Sequence, residues 1–327
     1  MADNIAGTLG WGIIGAGRIA RTAIAPAIHY AANSHLVAVA SRDARRAAAI
    51  RLECHADASC GSYEALLAHP GVQAVYIGLP NGLHEEWIIK SAEAGKHVLC
   101  DKSLTFTRES ALRCREACRR AGVLLMEGFM YRHHPQWIHV RDLLGAGAIG
   151  QIRTISAHLT GVLNNDVDHR WSAELGRGAM YDVTCYGINA ARYLAGVEPR
   201  AVAAVGRLRA PNVDLASHVA LAFPNDITAS VHGALDVAAS QGLVVQGTTG
   251  TLEMMRPFIP GYDPAPLRLW RDGRVEDITV GGANHFLHQI EHFANCALTG
   301  APLGYPAEDG VENATVCEKA MKQIMEG

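Results

Sequence analysis

The sequence predicts an α/β chain. A doubly wound parallel sheet is expected over residues 1–127, and an α+β domain with a large, mostly antiparallel sheet over 128–327. Three observations point there. Up to about residue 128, short apolar runs alternate with helical stretches, the grammar of βαβ units whose sheet is covered on both faces. Beyond it the apolar runs lengthen and several alternate with polar residues, as in a sheet with one face solvated or lining a cleft. The length, 327 residues, is about two domains at roughly 150 residues each.

In order, residues 10–16 form a short apolar strand that runs straight into glycine, and 19–32 is helical with an interruption at Pro26. Leu36–Ala40 is a second buried strand, followed by helices at 43–53 and 63–68 and a strand at 74–78. A helix over 84–94, a strand at 97–100, a helix over 107–121 and a strand at 123–126 complete the first domain. In the second, strands are expected at 151–162, 201–208, 217–223, 228–237, 243–246 and 267–270. Turns fall at Asn225-Asp226, Gly247–Gly250 and Arg271–Arg274, and helices at 179–195, 285–299 and 307–325.

Composition excludes several function classes. Hydrophobic residues at 49% and charged residues at 19% give both halves a core and rule out intrinsic disorder. Lys plus Arg is 29 against 32 for Asp plus Glu, so no basic field for nucleic acid exists. The opening residues Met1 to Gly7 carry no leader pattern, and no stretch approaches the ~20 apolar residues of a membrane span. A cytoplasmic location is expected. The eight cysteines include no Cys-x-x-Cys pair and read as reduced packing thiols, Cys114 and Cys118 sharing a helix face. His285, His288 and His292 fall on one helix stripe, but His288-Gln-Ile-Glu-His292 lacks the Glu beside the first His that a zincin needs, and no metal is expected.

Gly15-Ala-Gly17-Arg18-Ile19-Ala20 has the form G-x-G-x-x-A between a strand and a helix, with a second strand a crossover away. Gly15 permits the tight turn, Gly17 lets the backbone approach a pyrophosphate, and Ala20 allows close helix packing, the phosphate loop of a Rossmann dinucleotide domain. The helix start then offers free N–H groups to the phosphates. The second strand ends Ala40-Ser41-Arg42-Asp43. A carboxylate there would accept from the 2′-hydroxyl of NAD, whereas Ser41 with Arg42 suits the 2′-phosphate of NADP. Asp43 comes one residue late and has a second reading, as the cap of the next helix. NADP is favoured, and use of NAD stays open.

Four segments, Trp11–Ala20, Val75–His84, Ala94–Ser103 and Met126–Pro135, together with Gly176–Tyr186 and Gly304–Gly310, resemble the glucose–fructose oxidoreductase / inositol dehydrogenase family (Gfo/Idh/MocA). The likeness is greatest to its dimeric dihydrodiol/xylose dehydrogenase branch. It implies an N-terminal dinucleotide domain and a C-terminal open-faced sheet through which the protein forms a homodimer or homotetramer, with a sugar or polyol substrate between the two. By position, Lys102 matches the lysine of the family's Glu-Lys-Pro motif, and Asp182 and Tyr186 match its Asp-x-x-x-His/Tyr pair. Leu79, Pro80, Asn81 and His84 fall in the loop that borders the cofactor, with Asp101, Lys102, Arg170, Trp171 and Tyr305 also placed beside it. Two departures bear on the substrate: Ser103 stands where the motif has proline, and Arg177 interrupts a run of glycines.

Oxidising a secondary alcohol requires a base for the hydroxyl proton. A free tyrosine is a poor base near neutral pH, but a nearby ammonium stabilises the phenolate. The expectation is therefore Tyr186 as acid/base, Lys102 as its electrostatic partner and Asp182 as orienter, with Asp182 and Tyr186 four apart on one helix face. The reaction class is hydride transfer to or from a sugar-like hydroxyl or carbonyl. The alternatives are a trans-dihydrodiol or nucleotide-linked keto-sugar substrate, and a dinucleotide-binding sensor without turnover.

Overall fold

A computed structural model describes residues 7–327, so most of the opening segment read for a leader pattern, residues 1–6, lies outside the described residues. The chain divides into two units: residues up to Met130 together with His285–Ala314, and Tyr131–Asn284 together with Thr315–Gly327. The helix over 285–299, expected with the second domain, groups with the first.

In the first unit, β1 (Leu9–Ile14), β2 (Ser34–Ala40), β3 (Ala58–Cys60), β4 (Ala74–Ile77), β5 (His97–Cys100) and β6 (Leu125–Glu127) form one sheet in the order β3-β2-β1-β4-β5-β6. Every pairing in it is parallel. Side chains alternate across a strand, so β1 sends Leu9, Trp11 and Ile13 into one core and Ile14 into the other. The first core is covered by α1 (Ala25–Tyr30) and α2 (Ala44–Glu53), with Ile290, Phe293 and Tyr305 from the late segment. Trp11 meets Phe293 with ring centroids 5.3 Å apart. The opposite core lies under α3 (Tyr63–Leu67), α4 (His84–Glu93) and α5 (Arg108–Ala121). Asp43 is the cap of α2, its side chain accepting from the N–H groups of Arg45 and Arg46, the second of the two readings its position allowed.

The second unit is built on an eight-stranded sheet. It comprises β7 (Ile152–Val162), β8 (Ala201–Ala210), β9 (Val213–Ala222), β10 (Thr228–Ala234), β11 (Asp236–Gly247), β12 (Gly250–Met254), β13 (Ala265–Arg271) and β14 (Arg274–Val280). Its order is β14-β13-β12-β11-β7-β10-β9-β8, antiparallel except where β7 meets β10. The expected strand 228–237 is divided at Leu235, whose N–H donates to Leu215 O while its own carbonyl accepts from Leu163 N–H. Asp272 and Gly273 both take positive φ in the two-residue turn joining β13 to β14, as an Asp-Gly hairpin requires. The helices α6 (Pro135–Gly145), α7 (Cys185–Ala195), α8 (His285–Thr299) and α9 (Ala307–Glu326) complete the chain. Before α7 stands one wide π-helical turn, Met180–Thr184, and a similar turn, Ala20–Ile24, precedes α1. No helix among the described residues is long and apolar enough to cross a membrane.

Candidate active site

In the first unit the phosphate loop is shaped by its neighbours. Gly15 has φ +101°, and a Cβ there would sit 2.6 Å from Gly78 O and 2.9 Å from Leu79 Cδ2. Its N–H donates to Ala40 O at 3.1 Å, and Gly78 N–H donates to Ile14 O at 2.9 Å, so the ends of β1, β2 and β4 are laced together. Gly17 differs. A Cβ there would meet only Gly78 O, at 3.6 Å, an ordinary contact. Packing within the unit therefore does not demand glycine at 17. Arg18 is exposed and Ile19 half-buried at the mouth of this loop.

At the end of β2, Ser41 is buried, its hydroxyl accepting from Asp43 N–H at 3.2 Å, and Arg42 is exposed. The Arg42 guanidinium acts on the buried Tyr63 phenol. Burial pushes the Tyr63 phenol up, and the guanidiniums of Arg42 and Arg46 oppose that shift. Two guanidiniums, a phenol and a serine hydroxyl thus gather beside the glycine loop. Tyr63 and Arg46 were absent from the sequence reading as site residues; the further arginines close behind Arg42, in Arg42-Asp-Ala-Arg-Arg46, were the available signal.

The lysine loop is tied to the loop after β4. Leu79 is half-buried, Pro80 opens a short 3-10 turn, and Asn81 Nδ2 donates to Ser103 O at 3.1 Å. His84 is fully buried, with Nδ1 2.9 Å from Ser103 O and 3.1 Å from Leu104 O and Nε2 2.8 Å from Leu79 O. Whichever nitrogen carries the proton donates to a main-chain carbonyl, so His84 joins two loops instead of presenting a polar edge to a cofactor. Burial pushes its pKa down, against the pull of those carbonyls and of Asp101. Lys102 N–H donates to Asp101 Oδ1 at 2.9 Å, Leu104 N–H donates to Glu127 Oε1 at 2.7 Å, and the Lys102–Ser103 peptide is cis. With Ser103 in place of proline, its carbonyl is the anchor of the segment. Tyr305, also expected at the cofactor, is buried in the core and donates its hydroxyl to Phe129 O at 3.3 Å.

In the second unit Asp182 lies inside the wide turn and Tyr186 on the helix that follows, so the even helical face expected for the pair is interrupted between them. Asp182 Oδ2 accepts from Arg170 Nε at 2.8 Å. Arg170 also donates Nη1 to both oxygens of Asp168, at 3.1 and 3.2 Å. Burial works against the Arg170 charge, but Asp182 and Asp168 outweigh it and hold its pKa up. Arg170, expected against the cofactor, thus spends two of its nitrogens on carboxylates of its own unit. Trp171 is half-buried, its indole N–H on Asn165 O at 3.1 Å and the Arg209 guanidinium 4.6 Å from its ring centre. Tyr186 is buried, 5% exposed, between the rings of Tyr131 and Phe258 at 5.9 and 5.6 Å.

One group here left no trace in any motif. Asp214, at the start of β9, is fully buried and accepts from Met180 N–H at 2.9 and 3.1 Å. Burial pushes its carboxyl up to about 6, although the Ser217 hydroxyl and nearby backbone N–H groups pull the other way. The histidine stripe shows no common purpose: His292 Nε2 accepts from Gly304 N–H, and His288 lies 3.8 Å from Glu291.

Residues 9–129 match the model of an oxidoreductase family with an NAD-binding Rossmann fold, and residues 137–253 match the GFO/IDH/MocA C-terminal domain. A D-xylose 1-dehydrogenase (NADP+) from Haloferax volcanii is 35% identical over 92% of this chain and 93% of its own. A dTDP-3,4-didehydro-2,6-dideoxy-α-D-glucose 3-reductase from Actinomadura kijaniata is 34% identical over 94% of this chain and 93% of its own. Among solved structures, a 3-ketoreductase from Actinomadura kijaniata in complex with NADP and TDP-benzene superposes with a TM-score of 0.92 at 32% identity, covering 97% of this chain and 98% of that one.

Proposed function

The chain belongs to the Gfo/Idh/MocA oxidoreductase family, and on that premise we propose that it transfers a hydride between a nicotinamide dinucleotide, NADP in preference to NAD, and a secondary hydroxyl or carbonyl of a sugar or sugar-like polyol. The observation that carries this reading is the phosphate loop: Gly17 faces space that the unit itself leaves open, and Ser41, Arg42 and Tyr63 stand at the end of the neighbouring strand. A pyrophosphate fits against the first and a 2′-phosphate against the second. The NADP-dependent xylose dehydrogenase and the NADP-bound ketoreductase support the same preference.

When bound, the nicotinamide supplies the hydride donor or acceptor. The chain's own part is to place the sugar and move a proton. Tyr186 takes the hydroxyl proton during oxidation and returns it during reduction. Lys102 stabilises the phenolate, and Asp182, held by Arg170, orients the lysine or a second substrate hydroxyl. A nucleotide-linked keto sugar is the second reading, supported by the 3-reductases among the relatives. Homo-oligomerisation through the outer face of the eight-stranded sheet belongs to the same proposal, and Val205, 69% exposed on β8, supports it.

The test is a panel of aldoses, polyols and dTDP-sugars assayed by nicotinamide absorbance with NADP and NAD. Tyr186→Phe is expected to lower kcat about 100-fold or more while NADP binding persists. A protein that binds NADP and turns over nothing in the panel is a sensor, and the proposal fails.

A further inference from the structure

The wide turn that carries Asp182 is held at both ends by one strand. At its start, Met180 N–H donates to both oxygens of Asp214, at 2.9 and 3.1 Å. At its end, Thr184 Oγ1 lies 2.7 Å from Ser217 Oγ, and the Ser217 hydroxyl pulls the pKa of the Asp214 carboxyl down. Asp214, Ser217 and Thr184 are all fully buried. The turn also presses on β10: a Cβ at Gly233 would overlap Thr184 Oγ1 and come within 2.8 Å of its N and Cα. A π turn spreads its hydrogen bonds over five residues and is uncommon except as a single turn, often at a functional site. This one keeps its width because a buried carboxylate and a buried hydroxyl take up its two ends.

We propose that Asp214 is the positioning residue of this turn: acting through Met180 and, with Ser217, through Thr184, it fixes the directions of Asp182 and Tyr186 without touching substrate or cofactor. The inference rests on the catalytic reading of Asp182 and Tyr186 given above. Its physical basis is that two buried residues of one strand, Asp214 and Ser217, contact the two ends of the turn, Met180 and Thr184. A carboxylate accepts several N–H and O–H donors at once. An amide of the same shape offers one acceptor atom and places an N–H₂ group against Met180 N–H or Ser217.

The experiment compares full-length wild type with Asp214→Asn and Ser217→Ala, using a sugar from the panel that wild type turns over. Asp214→Asn is expected to lower kcat at least tenfold while KM and NADP affinity stay within about twofold. Amide hydrogen exchange at 180–186 is expected to rise at least tenfold while β8 and β9 keep their protection. Ser217→Ala, which leaves the carboxylate in place, is expected to give the same pattern at about threefold. Folded variants with unaltered kcat and exchange overturn the proposal. So does a parallel loss of kcat, sugar affinity and NADP affinity, which marks a merely structural group. If Asp214→Asn does not fold, Ser217→Ala alone decides. If wild type turns over no sugar, the hydride-transfer reading falls by itself, and the exchange pattern still tells whether Asp214 holds the turn.

Discussion

Arg42 stands exposed just beyond β2, and the charged neighbour of the buried Tyr63 phenol is this guanidinium, with no ion pair to a carboxylate among the described residues. Its full charge is therefore available to an anion. A charge-assisted contact of this kind contributes about 1.5–3 kcal/mol, so Arg42→Ala is expected to lower the NADP-over-NAD affinity ratio by at least about tenfold, read by titrating both nucleotides. An unaltered ratio places the 2′-phosphate elsewhere. Asp214 offers a second prediction. Its folded pKa is raised by burial from 3.8 to about 6, so the folded state binds that proton more tightly. The stability from this group is present below pH 4 and is lost as pH rises through 6, a span of about 3 kcal/mol. Urea unfolding of wild type and Asp214→Asn between pH 4 and 7.5 isolates it: the difference between the two is expected to change across that window, with wild type losing ground as pH rises. A difference that stays flat removes the burial argument.

At the scale of elements, the two loop glycines separate fold from ligand. Gly15→Ala forces a side chain into positive φ and against Gly78 O, and is expected to cost about 2 kcal/mol or more of stability. Gly17→Ala meets ordinary contacts, so the melting temperature without nucleotide is expected to hold while the shift on adding NADP shrinks. Thermal melts with and without NADP check both. The same loop shows what a sequence makes legible. Strand, glycines and helix lie in one continuous stretch whose chemistry is local, and they appear where the spacing places them. Three strands went unread: β3 and β14 are sheet edges, and β14 is mostly exposed, so neither carries the apolar pattern that marks a buried strand, while β12 is an inner strand of only five residues that starts at the last glycine of the expected Gly247–Gly250 turn. The wide turn at Met180–Thr184 escapes too, because a 3.6-residue period has no term for an inserted residue. Asp214 is invisible for a third reason: it meets Met180 across 34 positions of chain, and only the folded sheet brings them together. His84, by contrast, was seen but given to the cofactor, since a short motif does not reveal that both ring nitrogens face carbonyls.

At the scale of the whole molecule, the first unit is discontinuous. Ile290, Phe293, Ala294 and Tyr305 belong to the core that Trp11 anchors, although about 150 residues of the second unit intervene in the chain. A fragment ending at residue 130 therefore exposes one apolar face of its sheet. It is expected to aggregate or melt without a cooperative transition, and joining 285–314 to it through a flexible linker is expected to restore a cooperative melt, followed by circular dichroism. A stable, monomeric short fragment contradicts this.

Such a sandwiched arrangement has a temporal consequence. Synthesis runs from one end, at roughly 5–20 residues per second. The strands that bear the glycine loop are made before the residues that close over Trp11, which emerge roughly fifteen to fifty-five seconds later at those speeds. During that interval the newborn sheet shows a bare apolar flank, which is where a chaperone would engage the nascent polypeptide.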